Sequence, residues 1–171
     1  MNAWPKDNHA EMCAFYGTHE LNAFGKPSAR WERRNLETIK VPYALALSWD
    51  TSQQVRSITC HSKVARSLLT IFDRIWEDLC GRDYARVIAR RAHLYGGCYN
   101  FRPKRGLASL STHAWGAAID LDPEKNGLGK KWKSEIGMMD PDIVKVFEAE
   151  GWTWGGKWSR PDAMHFQATK G

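Results

Sequence analysis

The stretch "STHAWGAAIDLD", residues 111–122, sets His113 and Asp120 around a run of small side chains. A second stretch, "PDAMHF" at 161–166, adds Asp162 and His165. Imidazoles and carboxylates spaced His-x6-Asp and then Asp-x2-His are the material of a metal site. A zinc site built for hydrolysis needs three protein ligands and one position left open for water. His113 would enter from a loop and Asp120 from the strand that follows, with Gly116 and two alanines leaving room for the backbone to fold tightly around an ion. His165, on a late strand with its face opposite the apolar one, can supply the third ligand. Two imidazoles and one carboxylate suit a single Zn²⁺ better than Ca²⁺ or Mg²⁺, which favour oxygen ligands. Water at such an ion has its pKa lowered to roughly 7, and Asp162 is placed to take its proton. Each residue also has a structural reading: a strand histidine held by hydrogen bonds, or an aspartate capping a turn, as Asp122 before Pro123 is expected to do. Spacing alone leaves both readings open.

The elements that would position these groups form an α+β pattern. A strand is expected at 41–49. A helix is expected at 62–80, where Val64, Leu68, Phe72, Ile75, Trp76 and Leu79 recur at three- and four-residue steps and Gly81 stops it. "VIARRAHLYGGCYNF" reads as extended chain broken at Gly96-Gly97. In "GAAIDLD" the alternation points Ala118, Asp120 and Asp122 one way and Ala117, Ile119 and Leu121 the other. "DPDIVKVFEAEG" is a helix with Asp140 as its N-cap, Pro141 in its first position and Gly151 closing it. "WTWGGKW" then turns into a last strand, "AMHFQA", with Met164 and Phe166 on one face and His165 and Gln167 on the other. Residues 1–40 read as an irregular N-terminal arm packed on the domain formed by 41–171.

The chain has 171 residues, enough for one domain with a hydrophobic core, and its 43% hydrophobic content with 9 Trp marks a folded globule. No run reaches membrane-span length, and the N-terminus lacks a basic region followed by an apolar one, so synthesis in the cytoplasm without a signal peptide is expected. A net charge of +6 is either a solvated basic surface or an attraction to an anionic polymer such as nucleic acid, lipopolysaccharide or cell wall. No nucleic-acid motif accompanies the basic residues, so nucleic acid is not expected as a partner. Cys13, Cys60, Cys80 and Cys98 form no CxxC pair, which argues against a sulfur-ligated zinc cluster and for reduced thiols. His9, His19, His61 and His93 match no motif position and are read as structural or exposed. Trp154 and Trp158 flank the glycine pair beside the second motif and are candidates to line a groove for sugar or peptide.

Ser111, His113, Gly116, Ala118 and Asp120 match every defined position of S-x-H-x-x-G-x-A-x-D. With a downstream [E/D]-x-x-H, the pattern resembles the zinc D-Ala-D-Ala carboxypeptidase and L-alanyl-D-glutamate endopeptidase family, which acts on bacterial peptidoglycan and includes many phage endolysins. "GGCYNFRPKRG" and "WTWGGKW" are also similar to family features, and the resemblance covers roughly 41–167. It implies a single α+β domain with a small antiparallel sheet and flanking helices, the fold shared with hedgehog signalling domains. It also implies that 41–171 is the zinc peptidase domain. By the resemblance, His113, Asp120 and His165 hold one zinc ion and Asp162 is the general base, where many members have Glu. Arg102 anchors substrate or steadies the oxyanion, and Ser111 orients substrate or a ligand. The implied activity is hydrolysis of an amide bond in the peptidoglycan stem peptide. A phage or prophage endolysin cutting L-Ala-D-Glu is the leading form, and a D-Ala-D-Ala carboxypeptidase or a non-catalytic zinc-holding wall-binding module are the alternatives. Such an enzyme would be a monomer acting at the cell wall after release from the cytoplasm, without stable membrane insertion.

Overall fold

The computed structural model describes residues 3–170. Its centre is one six-stranded sheet in the order β2-β1-β3-β4-β6-β5. The strands are β1 (Leu36–Leu47), β2 (Asp50–His61), β3 (Leu94–Gly97), β4 (Ala118–Leu121), β5 (Thr153–Trp154) and β6 (His165–Gln167). Every neighbouring pair is antiparallel except β1 and β3, so the sheet is mixed rather than wholly antiparallel. That parallel pair requires a crossover, and α3 (Ser62–Arg74) and α4 (Tyr84–Ala89) lie within it.

Helix α3 carries its apolar stripe into the core: Val64, Leu68, Ile71 and Phe72 are fully buried. It continues to Leu79 as a π-helical turn, and Gly81 follows with φ +59°. After the short α5 (Pro123–Asn126), helix α6 (Pro141–Ala149) begins where its capping signals place it, with the Asp140 carboxylate accepting from the Asp142 amide. Its Phe147 stacks on Phe166 of β6 at 4.0 Å between ring centroids, which ties the last helix to a strand of the site.

Residues 3–40 do pack on the domain, but they are not irregular. Helices α1 (His9–Tyr16) and α2 (Ala29–Asn35) form there, capped by Asn8 and Ser28. Tyr16 donates its hydroxyl to the Ala168 carbonyl at 2.6 Å, and the Lys170 amide bonds to the Pro5 carbonyl at 2.7 Å. The expected extended run from Val87 is also corrected. Its first residues belong to α4, and only Leu94–Gly97 pairs into the sheet. Among the described residues no helix is long and apolar enough to cross a membrane. All four cysteines are free, three of them buried.

Candidate metal centre

The site is assembled by the pairing of β4 with β6, which sets Asp120 directly opposite His165. Between "NFR" and β4 the chain makes a 3-10 turn over Thr112–Trp115 that swings His113 onto the same spot. Ser111 caps this turn, accepting from the His113 amide at 3.4 Å. Gly116 ends it at φ +68°, and a Cβ there would lie 2.8 Å from the His61 backbone nitrogen, so only glycine fits.

Three donor atoms converge. His113 Nε2 lies 3.2 Å from Asp120 Oδ1 and 3.2 Å from His165 Nδ1, and His165 Nδ1 lies 2.9 Å from Asp120 Oδ1. All three residues are buried, and together they are a group able to share one ion. Ligand atoms about 2.0–2.1 Å from a tetrahedral zinc stand about 3.3 Å from one another, close to the triangle observed here.

The hydrogen bonds behind the two rings decide what faces the triangle. His113 Nδ1 lies 2.7 Å from the Cys98 carbonyl, which can only accept, so Nδ1 carries the proton and Nε2 a lone pair. His165 Nε2 lies 3.0 Å from Gln167 Oε1, so His165 offers Nδ1 as a lone pair. Two imidazole lone pairs and a carboxylate oxygen thus face one another with no hydrogen between them, an arrangement that calls for a cation. Where no ion is bound, a ring proton shared with the carboxylate takes that place: burial opposes the Asp120 charge, but His113 and His165 then outweigh it and hold the carboxyl far below its usual range. Burial alone would lower His165, and Asp120 beside it raises it instead. The residues present therefore fit zinc.

Asp120 and His165 open onto a cavity of about 220 Å³ whose wall includes Arg102, Ser111, Trp158 and Asp162. Asp162 enters through its backbone: its amide donates to Gly155 O at 2.9 Å and its carbonyl accepts from the His165 amide at 3.0 Å. A Cβ on Gly155 would meet Asp162 O at 2.6 Å, so the glycine permits this close approach. Asp162 Oδ1 is buried without a hydrogen-bond partner among the described residues. Burial raises the Asp162 carboxyl above its usual range, with His165 pulling the other way. The Trp158 ring lies 5.6 Å from that of His165.

The other sequence candidates divide. Arg102 reaches the cavity, with one hydrogen bond from Nη1 to the Pro103 carbonyl at 3.3 Å. Trp154 is not on the cavity wall: it is 5% exposed, donates its indole N–H to Ala163 O and packs edge-on against Trp132. It faces inward because Trp154 pairs with Phe166, whose face of β6 is the apolar one. Asp122 caps nothing with its side chain and instead takes a two-pronged ion pair from Arg91 at 2.7 Å. His61 and His19 are structural, bonding to the Tyr16 and Ala114 carbonyls, each at 2.8 Å. Sequence reasoning passed over Cys98, Thr112, Gln167 and Asp7, which act through backbone or through other side chains and carry no motif. Gln167 alone had a signal, sharing the polar face of β6 with His165.

This donor set could hold one metal ion, with a carboxylate beside it and a cavity before it. Residues 105–168 match the family model described as D-alanyl-D-alanine carboxypeptidase. The segment that builds the centre is thus similar to a peptidase family, and the matched residues include His113, Asp120, Asp162 and His165 but neither Arg102 nor the N-terminal arm. No curated protein and no solved structure matches the chain.

Proposed function

We propose that the protein is a zinc peptidase that hydrolyses an amide bond in the stem peptide of bacterial peptidoglycan. The observation that carries this reading is the convergence of two tautomer-fixed imidazoles and a carboxylate, of which His165 and Asp120 line a cavity that also holds Asp162. Zinc held by His113, Asp120 and His165 would supply a Lewis acid for the amide carbonyl and make water acidic enough to react near neutral pH. Asp162 takes the proton at its carboxylate and returns it to the leaving amine, a role suited to a buried oxygen with no competing partner. Arg102 holds its guanidinium toward the cavity, where charge develops on the carbonyl oxygen. Ser111 keeps the His113 turn in register, and Trp158, Leu128 and Met164 give the cavity an apolar side against which a peptide packs.

Within this class we favour an endopeptidase of the endolysin type, cutting between L-Ala and D-Glu at the wall. Arg105 and Arg160 join Arg102 on the cavity wall, and three guanidiniums suit a stem peptide with acidic residues on the prime side. The basic surface, net +6, suits accumulation at an anionic envelope. Carboxypeptidase trimming of terminal D-Ala is the second reading, favoured by the description of the matching family.

The test is digestion of purified sacculi by the zinc-loaded protein, with products weighed by mass spectrometry and His165→Ala alongside. Stem peptides freed from L-Ala are the expected product. Loss of single D-Ala residues selects the carboxypeptidase instead, and intact sacculi with zinc bound would overturn the peptidase reading.

A further inference from the structure

The tautomer of His165 depends on which way the amide of Gln167 is turned. Its Oε1 accepts from His165 Nε2 at 3.0 Å and from the Thr112 hydroxyl at 3.2 Å. Its Nε2 donates to Thr169 Oγ1 at 2.6 Å and to Asp7 Oδ2 at 3.3 Å. Rotating the amide by half a turn would present its N–H₂ to His165 Nε2, forcing the ring proton onto Nδ1 and into the middle of the donor triangle. The two threonine hydroxyls cannot prevent this, because a hydroxyl serves as donor or acceptor with equal ease. A carboxylate accepts only. Asp7 is therefore the one neighbour in this ring of contacts that admits a single orientation of Gln167.

From this we infer that Asp7, on the N-terminal arm and outside the segment matched to the peptidase family, is a positioning residue of the metal centre. It locks the Gln167 amide and through it holds His165 with Nδ1 free to bind the ion. Asp7 is in turn gripped by Lys104 Nζ at 2.9 and 3.0 Å, from the loop after Arg102. The inference rests on the zinc reading above and adds to it a residue far from both motifs.

The experiment uses the full chain with Asp7→Ala, Asp7→Asn and Lys104→Met. Zinc affinity is read by competition with a chromophoric chelator. The His165 tautomer is read from ¹⁵N shifts of histidine-labelled, zinc-free protein at alkaline pH. Partners behind metal-bound histidines are worth about 10- to 100-fold in affinity, so Asp7→Ala should weaken zinc binding by about tenfold and mix the His165 tautomers. Asp7→Asn, whose amide donates as well as accepts, should lose the lock and follow Asp7→Ala, whereas Lys104→Met, which removes the ion pair alone, should stay near the parent. A single Nε2–H tautomer and unchanged affinity in Asp7→Ala would overturn the inference. So would equal weakening in all three variants, since Asp7 would then act only as an anchor for the loop. Should the parent bind no zinc, the metal reading fails separately, and the tautomer signal of Asp7→Ala still decides for or against Asp7.

Discussion

His165 Nδ1 and Asp120 Oδ1 face each other across the β4–β6 pair at 2.9 Å, while the proton of the His165 ring is engaged on its far side by Gln167. An acceptor held against an acceptor is a poor contact until a cation sits between them. Folding brings these groups together, so the energy of ion binding feeds directly into the stability of the sheet.

Zinc should therefore stabilise the protein measurably. Free zinc at a hundredfold excess over its Kd adds about 2.7 kcal/mol to a site that exists only in the folded state. For a chain of this size that is a rise of roughly 5–10 °C in Tm. Calorimetry of the parent with and without chelator checks this. In His165→Ala the shift should disappear, and a rise that survived that change would place the ion elsewhere.

Asp162→Asn should cost about 10²- to 10⁴-fold in kcat, the usual worth of a general base. Its effect on stability runs the other way. In the zinc-free protein burial raises the Asp162 carboxyl, so the folded state holds that proton more tightly than the unfolded chain does. The resulting contribution is whole below the unfolded value of about 3.9 and is lost as pH rises through the folded value. Asp162→Asn, neutral at every pH, should be more stable than the parent at pH 7, and the gap should narrow towards pH 4. Urea melts across that range would show it, and a gap that widens in acid would contradict the assignment.

Removal of the Arg102 guanidinium tests its place on the cavity wall. Arg102→Ala should lower kcat by about 10²-fold if the side chain meets developing charge. A rise in KM at constant kcat would assign it to substrate binding alone. Among the described residues its side chain makes one hydrogen bond, to a neighbouring carbonyl, so the melting temperature should barely move.

Gly155→Ala probes the support of Asp162. The added methyl would sit 2.6 Å from Asp162 O, which the loop cannot accommodate without moving. A loss of about 1–3 kcal/mol is expected, the usual cost of overpacking, together with a fall in kcat from a displaced carboxylate. Parent-like kinetics in this variant would mean that the loop position is immaterial to the chemistry.

Some of this architecture was legible in the chain and some was not, for physical reasons. Helices α3 and α6 announce themselves because each buries one continuous stripe and is bounded by capping residues. The ligand triad is legible because its residue types and spacing have few other uses. Strand β2, "DTSQQVRSITCH", escapes because most of its length is exposed on both faces and carries no apolar alternation. Helix α1 is short and buries only Met12 and Tyr16, too little to set a period. Trp154 and Trp158 look equivalent beside Gly155-Gly156, and only the pairing of β5 with β6 sends one into the core and leaves the other by the cavity. Asp7 stands in no pattern at all, since its partners lie at positions 104 and 167.

The clasp between the N-terminal arm and β6 has a consequence for the order of folding. Pro5 meets Lys170, Asp7 meets Gln167 and Tyr16 meets Ala168, so the N-terminal arm closes on the last strand and the residues after it, beside the donor triangle. Contacts between such distant residues form late, after most of the loop entropy has been spent. While the chain is still being translated, His113 and Asp120 exist without His165, and the pocket has no floor. A donor set that needs all three residues is thus completed late, and an ion held by them would lock a fold already formed rather than seed it.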